Sequence, residues 1–210
     1  MTGGIAVAYS RQEDEIQLIA IGASTGGTDA IYQVLHRLPE SLPGIVIVQH
    51  IPEGFSKRFA DRLDAQTKIK TKEAEHGDVV EPGHAYVAPG DHHIIVQRYG
   101  KKIWLERVDQ ERVNGHRPSV DVLFHSVAQH FGQDALGVLL TGMGSDGAKG
   151  LLSMRLAGSY TIGQDEHSSV VYGMPKVAYE IGGVVKQHPL NDIAEAILKQ
   201  VGFTKNEKRL

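Results

Sequence analysis

The stretch LIAIGASTGG, residues 18–27, is the most informative part of the chain, because an apolar run stops at a serine set among glycines. The run predicts a buried strand, and the glycines predict a sharp turn into a helix. The segment GASTG fits the pattern G-x-S-x-G, which holds a serine on a strained turn between strand and helix. These residues alone leave two interpretations open. Ser24 is a nucleophile, or else Ser24 or Thr25 caps the helix.

Two phosphate-binding loops compete for the same glycines, and neither fits. A P-loop needs a lysine after its second glycine, but no lysine follows Gly27. A dinucleotide-binding turn needs the spacing G-x-G-x-x-G, which the glycines at 22, 26 and 27 do not have. An α/β-hydrolase is also disfavoured, because the HGGG-type oxyanion loop of that fold is missing. A nucleotide-binding protein is therefore the weakest interpretation.

Apolar segments of strand length alternate with amphipathic helical segments along the rest of the chain. This alternation predicts an α/β fold with three layers: a mostly parallel, doubly wound sheet, helices on both faces, and one antiparallel β-hairpin. The predicted strands are 16–21, 45–49, 135–141, 160–163 and 184–187, with the hairpin at 94–98 and 103–108. The predicted helices are 28–38, 54–65, one that opens at Pro118, 147–156, 175–181 and 191–201. We expect a mobile lead-in over residues 1–15, a single domain over 16–202 and a solvated tail over 203–210.

Composition excludes several classes of function. The 210 residues carry a net charge of −3 and no block of Lys and Arg, which argues against a nucleic-acid partner. Cysteine is absent, so thiolate nucleophiles, disulfides and sulfur-ligated metals are ruled out. No apolar stretch has the length of a membrane helix and the first residues do not resemble a signal peptide, so we expect a cytoplasmic protein without membrane insertion. His92 and His93 point to opposite faces of a strand, and no metal site is expected.

Polar residues follow the predicted strands at the edge where α/β sheets bind ligands. Ser24 follows the first strand, His50 the second, and the segment TGMGSD (residues 141–146) the strand at 135–141. A serine needs a base to take its proton, and His50 is the best placed of the histidines because sequential strands are usually neighbours. A histidine that simply binds a neighbouring loop remains the alternative for His50.

The third member of such a site is a carboxylate that orients the imidazole. Asp146 stands between a strand end and a helix start, where an aspartate can equally cap the helix. Asp165, which follows the strand at 160–163, and Asp121, inside a helix, are the rivals.

Three motifs, IGASTGG, QHIP and LTGMGSDGAKG, occur in the order and at the separations seen in the catalytic domain of CheB, the chemotaxis protein-glutamate methylesterase. The segments VAPGDHH, HRPSVDVLFHS and QDEHSSVVYGMP also resemble that family. The resemblance implies that Ser24 is the nucleophile, His50 the general base and Asp146 its orienting residue. It further implies that the Met143 N–H stabilises an oxyanion and that Thr25 lies near the reacting centre.

The resemblance also carries expectations about substrate and regulation. The implied substrates are γ-glutamyl methyl esters on the cytoplasmic helices of chemoreceptors, hydrolysed to glutamate and methanol, together with receptor glutamines that are deamidated. No cofactor is implied. Arg117 and Asp165 are expected to line the groove for a receptor helix. Family members carry an N-terminal receiver domain, which we expect to be absent from this chain because only about fifteen residues precede the first strand. A non-catalytic module that docks on receptor helices is the alternative function.

Overall fold

The computed structural model describes residues 7–11 and 16–207, within which the chain forms eleven strands and six α-helices. The strands are β1 (Val7–Arg11), β2 (Leu18–Ala23), β3 (Gly44–Gln49), β4 (Lys70–Glu73), β5 (His84–Val87), β6 (His93–Tyr99), β7 (Lys102–Val108), β8 (Ala135–Leu139), β9 (Tyr160–Gln164), β10 (Lys186–His188) and β11 (Phe203–Glu207). The helices are α1 (Gly27–Leu35), α2 (Ser56–Gln66), α3 (Val120–Phe131), α4 (Ala148–Leu156), α5 (Met174–Glu180) and α6 (Leu190–Gln200).

Seven strands form one sheet in the order β10-β9-β8-β2-β3-β5-β4, and every neighbouring pair in it is parallel. The chain enters the sheet at its centre with β2 and builds one half through β3, β4 and β5. It then returns to β8 and builds the other half through β9 and β10. The order therefore reverses between β2 and β8, and ligands bind beyond the carboxyl ends of the strands at such a point.

Helices cover both faces of the sheet, as the alternation of segments predicts. Along β2, Ile19 and Ile21 belong to the core under α1, α2 and α6, while Leu18 and Ala20 belong to the core under α3, α4 and α5. Because successive side chains of a strand point to opposite faces, one strand contributes to both cores. The predicted three-layer α/β fold is confirmed. In the described ranges, no helix is both long enough and apolar enough to cross a membrane.

The β6–β7 hairpin forms a separate two-stranded antiparallel sheet that packs on the α3 side of the molecule. The connection between Tyr99 and Lys102 is short, and the predicted hairpin is confirmed with its strands one or two residues longer than expected. The segment after β7 returns toward the large sheet and leads into α3.

The sequence-based prediction misses strands β4 and β5 and the pairing of β1 with β11. β4 and β5 belong to the large sheet but fall in a stretch for which no strand was predicted. β1 pairs antiparallel with β11, so parts of the expected lead-in and tail form a two-stranded sheet of their own. Residues 1–6, 12–15 and 208–210, which also fall in the expected lead-in and tail, lie outside the described residues.

Candidate active site

The turn at Ser24 is held between the central strands. β2 ends at Ala23 and α1 begins at Gly27, so Ser24 stands in the short connection between them. The Ser24 N–H donates to the Thr141 carbonyl at 3.0 Å, and the Ser24 carbonyl accepts from Nε2 of Gln49 at 2.9 Å. Strands on both sides thus fix the backbone that carries the hydroxyl.

Gly26, and not Ser24 or Thr25, occupies the N-cap of α1. Its φ of 79° lies in the left-handed region, and no side chain makes a capping hydrogen bond at this helix. The interpretation of Ser24 or Thr25 as a helix cap is therefore wrong. A Cβ at Gly26 would also come within 2.6 Å of the Val170 side chain, so the loop over the turn leaves room only for glycine.

His50 lies beside Ser24 across the sheet, just past the end of the neighbouring strand. The β2–β3 register ends with Ala23 opposite Gln49, and the His50 N–H continues the ladder with a bond of 3.1 Å to the Ala23 carbonyl. Ser24 and His50 are therefore the first residues beyond two adjacent parallel strands, whose backbones lie about 4.8 Å apart. The prediction that β2 and β3 are neighbours is confirmed.

His50 and Asp146 form a buried pair. Nε2 of His50 lies 2.7 Å from Oδ2 of Asp146, and the two side chains are 8% and 1% exposed. Asp146 does not cap the helix that follows it, because α4 begins at Ala148 with Gly147 at its N-cap and no side-chain bond there. Its carboxylate instead lies against the first turn of α3.

Five hydrogen-bond donors surround the Asp146 carboxylate. Oδ2 accepts from His50 and from the Val120 N–H at 2.7 Å, and Oδ1 accepts the other three. The donors to Oδ1 are the Ser119 hydroxyl at 2.7 Å, the Asn114 amide at 2.8 Å and the Asp121 N–H at 3.2 Å.

The environment keeps Asp146 ionised. Burial alone raises the pKa of this carboxyl, but hydrogen bonds donated by side chains and by the start of α3 outweigh it and lower the pKa well below its usual range. An ionised Asp146 can only accept, so Nε2 of His50 carries the hydrogen that it shares with Asp146.

In the neutral imidazole with this tautomer, the other nitrogen, Nδ1, carries the lone pair. It is buried and has no hydrogen-bond partner among the residues that the structure describes. This state is the one that a general base requires. Across the same part of the chain, the Ser24 hydroxyl makes no hydrogen bond to His50; such contacts often tighten only when a substrate binds.

A second histidine covers the first. The rings of His116 and His50 stack with centroids 3.7 Å apart and planes 11° from parallel. His116 comes from a tight turn, VNGH at residues 113–116, in which Val113 and His116 exchange backbone hydrogen bonds of 3.1 and 2.9 Å. Asn114 at φ 54° and Gly115 at φ 81° make it a type I′ turn.

The same turn supplies Asn114, whose amide nitrogen donates both to Asp146 and to Oδ2 of Asp121 at 2.7 Å. Sequence reasoning from strand ends misses Asn114, His116 and Ser119. The dipeptide Asn-Gly was the available signal, because it favours a type I′ turn, but nothing in the sequence indicates what that turn touches.

Met143 and Thr25 lie beside the serine. A Cβ placed on Gly142 would meet the Ser24 Cβ at 2.8 Å, so the residue before Met143 packs against the Ser24 turn. The Met143 side chain is exposed, and its backbone N–H donates to no acceptor in the described ranges. Thr25 is exposed, and its carbonyl accepts from the Thr141 hydroxyl at 3.0 Å.

Arg117 is engaged with its own fold. Its guanidinium forms two bonds of 3.1 Å to the carboxylate of Asp91 and a third to the Gln110 carbonyl. The Asp91 pair raises the pKa of Arg117, and the guanidinium lowers that of the Asp91 carboxyl. Arg117 thus holds the 110–117 segment against the turn that precedes β6, while its role as a groove residue stays a prediction.

Asp165 fixes the loop between β9 and α5. Its Oδ1 accepts from both the N–H and the hydroxyl of Ser168, at 3.0 and 2.6 Å. Ser168 in turn binds Gln164 and the Leu190 N–H. The loop so held carries Val170 over the serine turn, and a groove role for Asp165 stays a prediction. Searched over the described residues, no group of three or more His, Asp or Glu is arranged to hold a metal ion.

Comparisons with known proteins identify the family of the chain. The chain is 54% identical over 185 residues to the protein-glutamate methylesterase/protein-glutamine glutaminase of Sulfurimonas denitrificans, covering 88% of this chain and 53% of that protein. The protein of the same name from Escherichia coli O157:H7 gives the same three values. The chain spans about half the length of the curated relatives it matches.

A solved structure and a family model match the chain as well. The crystal structure of the Thermotoga maritima CheB methylesterase catalytic domain matches with a TM-score of 0.86 at 35% identity, covering 90% of this chain and all of that one. The sequence model described as CheB methylesterase matches residues 19–197, which include Ser24, His50 and Asp146. The chain therefore belongs to the CheB methylesterase family.

Proposed function

We propose that this chain is a serine esterase that removes methyl groups from γ-glutamyl methyl esters of chemoreceptors. The observation that carries the proposal is the buried His50–Asp146 pair, which leaves Nδ1 of His50 without a partner among the described residues, one strand away from Ser24. The printed names of the relatives, protein-glutamate methylesterase/protein-glutamine glutaminase, support the substrate class.

In the first half of the reaction, Oγ of Ser24 attacks the ester carbonyl carbon while Nδ1 of His50 takes the hydroxyl proton. The resulting imidazolium is stabilised by the ionised Asp146. The tetrahedral intermediate then collapses: the bond to the methoxy oxygen breaks, the proton on His50 passes to that oxygen, and methanol leaves. A glutamyl ester on Ser24 remains.

In the second half, water takes the place of methanol. His50 accepts a proton as the water oxygen attacks the acyl carbon, and the bond to Oγ of Ser24 breaks as His50 returns the proton to the serine. The products are glutamate and free enzyme. Deamidation of a receptor glutamine follows the same two halves with ammonia as the first leaving group, and we include it in the proposed activity.

Backbone N–H groups are suited to hold the negative oxygen of both intermediates. Met143 follows Gly142, which packs against the Ser24 turn, and the Met143 N–H is unpaired in the described part of the chain, as is the N–H of Thr25. The residue after a nucleophilic serine commonly supplies one such donor. We assign both N–H groups to the oxyanion site.

Exposed apolar side chains on the loops beyond the strand ends suit a receptor helix as the partner. Phe55, Met143 and Val170 are each more than half exposed, and they belong to the loops that follow β3, β8 and β9. An amphipathic helix buries its apolar face in such surroundings. Asp165 lies in the loop that follows β9, and Arg117 is included as a second groove residue on the family resemblance. Since this substrate is on the cytoplasmic helices of receptors, we place the protein in the cytoplasm.

The test is Ser24→Ala assayed by methanol release from methylated receptor. Loss of a triad nucleophile reduces kcat by roughly 10⁶ in a well-studied serine protease, so a loss of several orders of magnitude is expected. Ser41→Ala removes an exposed hydroxyl outside the site and serves as the matched control. Activity of Ser24→Ala within about tenfold of the parent overturns the assignment.

A further inference from the structure

Two buried carboxylates lie side by side at the start of α3. Asp146 is 1% exposed and Asp121 is 3% exposed. Only one of them, Asp146, contacts His50, while Oδ1 of Asp121 accepts the Gly150 N–H at 2.6 Å. Like charges that share a site favour the uptake of a proton by one of them. A proton on Asp146 would remove the charge that stabilises the imidazolium.

Asn114 joins the two carboxylates. Its Nδ2 donates at 2.8 Å to Oδ1 of Asp146 and at 2.7 Å to Oδ2 of Asp121. The two hydrogens of one amide nitrogen are thus divided between the two acids, so the positive end of one amide faces both carboxylates.

The bond to Oδ1 also controls how the Asp146 carboxylate is turned. With Oδ1 occupied by Asn114 and Ser119, Oδ2 is the oxygen that faces His50. Asn114 itself sits at the surface in the type I′ turn, and its amide reaches inward. The backbone bonds between Val113 and His116 hold that turn in place.

We propose that Asn114 is a positioning residue of the esterase: its amide keeps the Asp146 carboxylate ionised and aimed at His50. It touches neither substrate nor His50, and it acts only through Asp146. The proposal rests on the proposed function of the Ser24 site, and it adds a residue from outside the strand ends to the catalytic machinery.

The first variant is Asn114→Gly, which removes the amide but keeps the turn, since glycine favours positive φ. The loss of one hydrogen bond to a charged group predicts a roughly tenfold lower kcat for methanol release, with KM unchanged. A kcat within about twofold of the parent, or a loss that lies in KM alone, overturns the proposal.

The second variant is Asn114→Asp, which keeps the shape of the side chain and its tolerance of positive φ but replaces the donor by a third carboxylate. At about pH 8 its kcat is expected to fall below that of Asn114→Gly because of charge repulsion. As the pH is lowered to about 6, the introduced carboxyl takes up a proton and becomes a donor, so the ratio of its kcat to the parent's rises. A ratio that does not change with pH contradicts the proposal.

Asn191→Asp is the matched control, because Asn191 is exposed near the start of α6 and the same charge is added there. Its kcat ratio to the parent is expected to be close to one at every pH. A ratio that follows that of Asn114→Asp would mean that added charge anywhere has the effect, and would overturn the proposal.

An NMR measurement separates this inference from the proposed function. The His50 Nε2 proton, bound to a carboxylate, is expected as a downfield resonance that His50→Gln removes. In Asn114→Gly it shifts upfield or broadens, and an unchanged resonance overturns the positioning role. If the parent itself releases no methanol, the proposed function fails, while this resonance still tests Asn114.

Discussion

His116 lies face to face with His50, with the ring centroids 3.7 Å apart. Burial lowers the pKa of His116 below its usual value, and the neighbouring His50 and Arg112 lower it further against the opposing effect of Asp146. At neutral pH the covering ring is therefore uncharged, and it covers His50 without repelling the imidazolium that the proposed mechanism forms there.

His116→Ala removes this cover, whereas His116→Phe keeps an aromatic ring in its place. Stacked aromatic pairs contribute about 0.5–1.5 kcal/mol, so kcat for methanol release is expected to fall roughly fivefold in the alanine variant and to stay near the parent value with phenylalanine. Steady-state kinetics of both variants provide the check. Equal losses in the two would show that the imidazole itself, and not the stacked ring, is needed.

Asp146→Asn is expected to destabilise the protein in a way that depends on pH. The folded-state pKa of Asp146 lies below the unfolded value of about 3.9, so its carboxylate stabilises the fold above about pH 4 and this contribution is lost as the pH falls further. A hydrogen bond to a charged group contributes about 1.5–3 kcal/mol, so a loss of at least this size is expected near neutral pH.

Urea unfolding at a series of pH values measures this effect. The free-energy difference between Asp146→Asn and the parent should be largest near neutral pH and shrink below about pH 4. Asp109→Asn, at a side chain that is 76% exposed, is the matched control and should show no such trend. A free-energy difference that stays constant with pH would contradict the conclusion that Asp146 is ionised in the folded protein.

Gly22→Ala is expected to disturb the site by pushing against Val120 at the start of α3. An added Cβ would lie 2.2 Å from Cγ1 of Val120, whose N–H holds Oδ2 of Asp146. Overpacking of this kind costs about 1–3 kcal/mol, and the shift of Val120 should lower kcat as well.

The double variant Gly22→Ala with Val120→Ala removes the clash. Thermal unfolding and methanol release should show that the alanine at 22 is far less harmful in the Val120→Ala background. Additive losses in the double variant would mean that contact with Val120 is not the cause.

Met143→Pro removes the backbone N–H that we assign to the oxyanion, whereas Met143→Leu keeps it. Loss of one oxyanion donor typically costs about 10²–10³ in kcat, so the proline variant should be nearly inactive while leucine changes kcat little. Circular dichroism controls for folding. A large loss in Met143→Leu would argue that the thioether side chain carries the role.

The triad candidates could be predicted because parallel strands end at one edge of a sheet. Ser24, His50 and Asp146 each follow a long, apolar, buried strand, and such strands are easy to recognise. β4 and β5 are only four residues long; β4 reads KTKE and has no apolar run, and the apolar run in β5, which reads HAYV, is short. Their place in the sheet depends on pairing that a local pattern does not contain.

Asn114 and His116 escaped prediction for a different reason. They belong to a segment that follows the separate hairpin, and they reach the site only because that segment folds back over the start of α3. The positions of the strand ends do not predict that this segment folds back over the site. The functions assigned to Ser119 and Asn114 likewise depend on a carboxylate 27 and 32 positions further along the chain.

The ladder between β2 and β3 has a consequence for how this site tolerates change. Ser24 and His50 stand one step past paired residues, so their separation is that of two adjacent strands. Residues inserted after α1, before β3 begins, would enlarge a surface loop and leave this separation intact. A single residue inserted within β3 would move the imidazole to the opposite face of the sheet. Natural and engineered variation in length should therefore be confined to the connections, while the two strands keep a fixed number of residues.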